Sequence, residues 1–325
     1  MRKNVGLGHQ DFEKVIETNN IYIDKTGFIS EWWKSNDNVT LITRPRRFGK
    51  TLMLSTVEEF FSARKENNEK LFKGLKVSKD SEMMQECGKW PVLFVSFANV
   101  KAENFNSALK QFNIIFCKLI SDLEYIKSGL DSKDLDFYDA ISDHMDVEMT
   151  IKCIHRYSLW LNKYYGKKVI ILLDEYDTPM QEAYVSGYWD EIVEFMRNMF
   201  NSAFKTNPYM YKALLTGITR VSRESLFSDL NNIRVITTIS EKYADSFGFT
   251  EKEVFDTLDE YGYSGERENV KKWYDGFIFG EQKEIYNPWS IIGYLSKKKF
   301  APYWADTSSN AIVGELVASA DEEVK

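Results

Sequence analysis

The sequence predicts an α/β fold in which a parallel sheet is flanked by helices. Short apolar runs of strand length alternate along the chain with segments whose apolar residues recur at helical spacing. Several of these runs are continuous rather than alternately polar, as in strands that are covered on both faces. Charged and hydroxyl residues follow some of the runs directly, and parallel sheets bind ligands at the carboxyl ends of their strands.

Five runs are predicted as strands of the sheet, in the order 39–43, 91–97, 169–173, 211–216 and 233–236. A short strand at 21–23 and a helical segment around 28–33 precede the first run. Long helices are predicted at 105–126 and 149–165, between the second and third strands, where a parallel connection needs a crossover. A further helix is predicted at 189–204.

The segment that follows the first strand resembles a phosphate-binding loop and reads Arg44-Pro45-Arg46-Arg47-Phe48-Gly49-Lys50-Thr51. It matches the pattern G-x-x-x-x-G-K-[ST] except that Arg44 replaces the first glycine. In that pattern the lysine reaches the β and γ phosphates and the hydroxyl ligates Mg²⁺. A strand precedes the loop and a helix follows it, so the helix N-terminus would face the phosphates. A solvated basic turn is the alternative for this segment alone.

This loop predicts ATP and Mg²⁺ as ligands, with Lys50 also in a catalytic role. The residues predicted to contact the nucleotide are Arg46, Arg47, Phe48, Gly49, Lys50, Thr51 and Leu52.

A second pattern, the apolar run at 169–173 followed by Asp174-Glu175, resembles a Walker B strand. Thr51 and Asp174 are therefore predicted to hold Mg²⁺, and Glu175 is predicted to polarise the attacking water as a general base. The alternative is a core strand followed by an acidic turn. Because both patterns occur in one chain, nucleotide binding is the better interpretation of each.

The fourth predicted strand ends in hydroxyl residues and arginines. In additional-strand P-loop ATPases, a polar residue at this point lies between the two Walker motifs and senses the γ-phosphate, and Thr216 fits that role. Arg220 or Arg223 is predicted to neutralise charge in the transition state. Capping and turn formation remains an equal alternative for each of these residues.

Composition limits the remaining classes of function. The chain has 42 Lys and Arg against 49 Asp and Glu, a net charge of -7, which disfavours a surface built for nucleic acid. The three cysteines are widely spaced, as expected of reduced thiols in a cytoplasmic protein. Cysteines and histidines lack metal-ligand spacing, so no zinc site is expected. No membrane span or secretion signal is expected.

Two domains are predicted, a P-loop domain at 1–240 that includes the segment 1–38, and a smaller, mainly helical lid or winged-helix-like module at 241–325. The module contains a capping box at 250–253, an Asn287-Pro288 helix start and a turn-rich segment with a short hairpin at 277–286. Core packing is the favoured role of its aromatics, which are Trp273, Tyr274, Trp289, Tyr303 and Trp304.

Motifs spread over nearly the whole chain lie at 11–14, 22–26, 43–51, 173–179 (LDEYDTP), 216–223, 227–232 (FSDLNN), 273–277 (WYDGF), 285–290 (IYNPWS), 303–304 and 307–310. Together they resemble the AAA-ATPase-like proteins that are abundant in anaerobic and gut bacteria. In that family arginine is the usual residue at the position of Arg44. The resemblance implies a P-loop ATPase core followed by a small helical region. Many relatives carry a PD-(D/E)XK nuclease-like domain after it, which is not expected within these residues.

Three functional hypotheses follow. The first is a Mg²⁺-dependent ATP hydrolase whose cycle moves the C-terminal module and an effector or protein partner attached to it. The second is a scaffold or switch that binds ATP without useful turnover, for which Arg44 is a hint because it could crowd the loop. The third and weaker hypothesis is a nucleic-acid-associated ATPase. No oligomeric state is predicted.

Overall fold

The computed structural model describes residues 2–66, 68–219, 226–227 and 229–304. Its main sheet contains β1 (Val39–Thr43), β2 (Val92–Ser96), β3 (Val169–Asp174), β4 (Met210–Gly217) and β5 (Ile233–Ile236). The strand order is β2-β3-β4-β1-β5, and every neighbouring pair is parallel. The predicted α/β fold with a parallel sheet is therefore confirmed.

Helices cover both faces of this sheet. They are α1 (Phe12–Glu17), α2 (Gly27–Lys34), α3 (Lys50–Phe61), α4 (Asn68–Phe72), α5 (Ser81–Met84), α6 (Phe105–Asp122), α7 (Ser132–Asp139), α8 (Val147–Tyr165), α9 (Thr178–Ser186) and α10 (Trp189–Phe200). In β3, Ile171 and Leu173 pack with α6, α8 and α10, whereas Ile170 and Leu172 pack with α2 and α3. Because alternate side chains of a strand point to opposite faces, this continuous apolar run fills two cores.

The position of β4 determines which residues can meet at the edge of the sheet. It lies between β1 and β3, with Thr43 opposite Gly217 and Ile42 opposite Thr216. On its other side Leu215 pairs with Leu173, one residue before Asp174. The carboxyl ends of the three strands therefore meet at one place, which is the arrangement of an additional-strand P-loop fold.

Several predicted boundaries differ from the observed ones. The strand predicted at 21–23 is wrong, because this segment forms no ladder: the adjacent Asn20 makes a single bridge with Asn4. The helix predicted at 105–126 ends at Asp122 and continues as a separate 3-10 turn. The helix predicted at 189–204 ends at Phe200, where a π-helical turn follows.

The C-terminal region has a hydrophobic core of its own and combines helices with a small antiparallel sheet. Its elements are β6 (Phe249–Thr250), α11 (Glu251–Tyr261), α12 (Arg267–Tyr274), β7 (Phe277–Phe279), β8 (Gln282–Tyr286) and α13 (Pro288–Lys297). The predicted capping box at Thr250 and the Asn287 cap are confirmed. The domain boundary between 240 and 241 stays a prediction. We call residues 249–304 the C-terminal module.

The N-terminal segment connects the module to the core. The Lys25 ammonium donates to the Glu253 carboxylate at 2.6 Å and to the Asp245 carbonyl at 2.6 Å. The Tyr261 hydroxyl donates to the Lys3 carbonyl at 2.8 Å.

Within the described residues, no helix is both long enough and apolar enough to cross a membrane.

Replacing Lys25 by methionine should destabilise the protein by about 2–3 kcal/mol, because the largely buried Glu253 carboxylate loses its charged partner. Lys34→Met is the control, since the Lys34 side chain is 53% exposed where it pairs with Asp80. That change should cost less than about 1 kcal/mol. Urea unfolding of both variants measures the difference, and equal losses would contradict a structural role for the Lys25 contact.

Candidate functional site

The phosphate-binding loop lies between the end of β1 and the start of α3. Gly49 has a φ of 80°, which favours glycine, and it precedes the first turn of α3. Arg47 also has a left-handed φ, 67°. The loop thus reverses direction and leads into the N-terminus of α3, where unpaired N–H groups and the helix dipole favour an anion.

The Asp174 carboxylate brings three predicted site residues together. The Thr51 hydroxyl donates to one oxygen at 2.7 Å, and the Thr216 hydroxyl donates to the other at 2.6 Å. Asp174 is only 2% exposed, so both oxygens are held in place away from bulk water. A hydroxyl and a carboxylate side by side provide the oxygen ligands that Mg²⁺ prefers.

The Lys50 ammonium lies against the loop itself. It donates to the carbonyls of Arg44 and Pro45, each at 2.9 Å, and among the described residues it forms no salt bridge. Burial lowers the pKa of Lys50 to about 8, although the carboxylates of Asp177, Asp174 and Glu175 act in the opposite direction. A largely buried cation therefore lies against the loop, with carbonyl oxygens as its hydrogen-bond partners among the described residues.

The two other carboxylates after β3 have different surroundings. Glu175 has a left-handed φ of 51°, and its carboxylate accepts a hydrogen bond from the Thr178 hydroxyl at 3.1 Å. Asp177 is fully buried and accepts from the backbone N–H groups of Ile218 and Thr219 at 3.0 and 2.7 Å. Asp177 thus anchors the segment that follows β4, whereas Glu175 lines the cavity described next.

A cavity of about 590 Å³ opens beside the loop. All seven residues predicted to contact the nucleotide, 46–52, line it, and so does Glu175. Its other walls include the N-terminal segments 6–10 and 21–23, and Trp289 and Ile292 of α13. The loop supplies a polar end and these walls supply a largely apolar end.

The sequence prediction missed the N-terminal wall of this cavity. Gly6 and Gly8 could have indicated this wall, because glycines two residues apart let the backbone approach other groups closely. A Cβ on Gly6 would lie 2.3 Å from the His9 ring, and Gly8 has a φ of 86° and faces the Trp289 ring. Of the five module aromatics predicted to be core, Tyr274 and Tyr303 are buried, Trp304 is partly buried, Trp273 is 50% exposed and Trp289 lines the cavity. Arg220 and Arg223 lie outside the described residues.

The Arg44 side chain turns away from the cavity into the protein. Its guanidinium donates to the carbonyls of Thr43 at 2.9 Å and Tyr243 at 3.2 Å, and it lies 4.7 Å from the Phe279 ring centroid. The residue is fully buried and does not line the cavity. Arg44 therefore connects the loop to the segment before β6 and to β7, and the hypothesis that it crowds the loop finds no support.

The variant Arg44→Gly, which restores the full loop pattern, should destabilise the protein by about 2–4 kcal/mol through loss of two charged hydrogen bonds and the aromatic contact. The control is Arg47→Gly in the same loop. Arg47 is exposed, and the ease with which glycine adopts its left-handed φ offsets the loss of its contact with Trp289, so this change should cost less than about 1 kcal/mol. Urea unfolding compares the two, and similar losses would contradict the role given to Arg44.

Comparison with known proteins identifies the family of this chain. The family model described as AAA-ATPase_like, Predicted AAA-ATPase, matches residues 6–227, a range that contains the loop, Asp174, Glu175 and Thr216. A protein of Azotobacter chroococcum mcd 1, named an uncharacterized protein in the vnfD 5' region, is 27% identical over 322 residues. The match covers 97% of this chain and 56% of that protein, so the chain spans little more than half of this relative. Because the family model covers more than half of the chain, the chain belongs to the AAA-ATPase-like family of predicted AAA-ATPases.

Proposed function

We propose that this chain is a Mg²⁺-dependent ATP hydrolase. It would bind the phosphates of ATP in the loop 44–51. The observation that carries the proposal is the shared contact of the Thr51 and Thr216 hydroxyls with the Asp174 carboxylate, beside the buried Lys50. Membership of a family of predicted AAA-ATPases supports ATP binding.

The residues present fit ATP and Mg²⁺. Among the described residues the Lys50 ammonium donates to two carbonyl oxygens, and an anionic phosphate would give it a charged hydrogen-bond acceptor. The cavity volume of about 590 Å³ is within the range of small-molecule sites. Its apolar end, between the N-terminal segment and Trp289, suits a nucleobase. Thr51 and Asp174 would hold the metal, with phosphate and water oxygens as the remaining ligands.

The chemistry of hydrolysis assigns a role to each of these side chains. Mg²⁺, when bound, neutralises charge on the β and γ phosphate oxygens. Lys50 orients the phosphates, and Thr216 keeps the Asp174 carboxylate in position. Glu175, which lines the cavity, would orient the attacking water and accept its proton.

Two alternatives remain. A switch that binds ATP without turnover is favoured by the Thr178 hydroxyl, which occupies one oxygen of the proposed base Glu175 at 3.1 Å. A nucleic-acid-associated ATPase is disfavoured by the net charge of -7. ATP turnover that rises with DNA or RNA and falls steeply with salt would favour a nucleic-acid-associated ATPase.

The free cysteines Cys87, Cys117 and Cys153 support a cytoplasmic location.

We expect Lys50→Ala to weaken ATP binding by about 100-fold or more, because the buried cation that contacts the phosphates is lost. Lys101→Ala is the control: Lys101 borders the same cavity but is exposed, and its loss should matter less than about threefold. Calorimetric titration with ATP and Mg²⁺ measures both affinities. Unchanged affinity in Lys50→Ala would reject the loop as the phosphate site.

Glu175→Gln should bind ATP within about twofold of the wild-type affinity but lose about 100-fold or more in kcat, because the amide cannot accept the proton of the attacking water. Glu182→Gln, which changes another carboxylate bordering the cavity, should retain most of the turnover. Phosphate release under saturating ATP and Mg²⁺ gives the comparison. Equal turnover in Glu175→Gln and wild type would remove Glu175 from the role of base, and a wild type that binds but never turns over would establish the switch.

A further inference from the structure

The C-terminal module contacts the backbone of the phosphate-binding loop directly. Two side chains donate to the Arg46 carbonyl: the Asn287 amide at 3.3 Å and the Trp304 indole N–H at 3.0 Å. Asn287 is 241 residues away from Arg46 in the sequence, and Trp304 is 258 residues away. Both belong to the motifs of the C-terminal third to which the hydrolysis mechanism assigns no role.

These two bonds orient a single peptide group of the loop. A trans peptide is planar, so its carbonyl and the following N–H point in opposite directions, and the described residues contain no cis peptide. Holding the Arg46 oxygen towards the module therefore turns the Arg47 N–H away from Asn287 and Trp304. Backbone N–H groups at this part of a phosphate-binding loop contact the phosphates.

The conformation of the loop needs this support. Arg47 has a left-handed φ of 67°, which a residue with a Cβ adopts only at a cost in free energy. The module also contacts the side chains of Arg47 and Phe48. The Arg47 guanidinium lies 4.2 Å from the Trp289 ring centroid, and the buried Phe48 ring lies 4.8 Å from that of Phe277.

We propose that Asn287 and Trp304 are positioning residues of the nucleotide site, which hold the Arg46–Arg47 peptide in the orientation that binds the phosphates of a nucleoside di- or triphosphate. This inference rests on the proposed function, because it takes the loop as the phosphate site. It makes phosphate affinity depend on the module being docked on the loop. By linkage, bound nucleotide must favour the docked module to the same extent.

The test compares nucleotides that differ only in their phosphates. Trp304→Phe removes the donor and keeps an aromatic ring beside Phe277, which the indole contacts edge-on at 5.6 Å. Asn287→Ser removes the amide but keeps an oxygen that can cap α13, a role Asn287 fills by accepting from the Ser290 N–H. In the double variant the Kd values of ATP and ADP should each rise about tenfold, the effect of losing two hydrogen bonds. The Kd of adenosine should change less than twofold.

Trp273→Phe is the control, because Trp273 is a half-exposed indole of the same module that stacks on Phe300. It should leave all three affinities unchanged, and melting temperatures without nucleotide verify that every variant folds. The inference is overturned if the double variant binds ATP and ADP as wild type does. It is also overturned if adenosine affinity falls in parallel, since that would indicate general damage to the cavity. A wild type that binds none of these ligands would instead reject the proposed function, and this inference with it.

Discussion

The candidate site depends on one buried carboxylate, that of Asp174, which is shared by two threonine hydroxyls. Thr51 reaches it from the first turn of α3 and Thr216 reaches it from β4. The contact requires β1, β3 and β4 to be adjacent, parallel and in register. A shift of β4 by one residue would turn Thr216 to the other face of the sheet and leave one oxygen of a buried charge without a partner. The positions of the side chains in the site therefore depend on the register of the sheet.

Residues that are far from the phosphate-binding loop in the sequence pack against it. Arg44 replaces a glycine, yet its side chain is buried between the loop, the Tyr243 carbonyl and the Phe279 ring. Phe48 packs on the same small sheet of the C-terminal module. A glycine at position 44 would lack these contacts. Arginine at this position therefore attaches the loop to Tyr243 and to Phe279 of the C-terminal module. The loop and the module are in direct contact through these side chains.

Much of the fold could be predicted from the residues, because its strands are continuous apolar runs with distinct ends. The loop and Asp174-Glu175 were predicted from local patterns with known chemistry, and the structure brings Thr51, Asp174 and Thr216 into contact. Contacts between distant segments could not be predicted in this way. The N-terminal wall of the cavity and the bonds from Asn287 and Trp304 to Arg46 depend on how separate units pack. The strand predicted at 21–23 failed for a related reason, since an extended apolar segment becomes a strand only beside a partner.

The central claim is that a nucleotide binds with its phosphates in the loop and its base between the N-terminal segment and α13. Photolabelling with 8-azido-ATP, followed by peptide mapping, tests this claim most directly. We expect the label on peptides that contain residues 6–10 or 289–292, with loss of labelling when unmodified ATP competes. Label on other surfaces, or labelling that ATP does not reduce, would contradict the account.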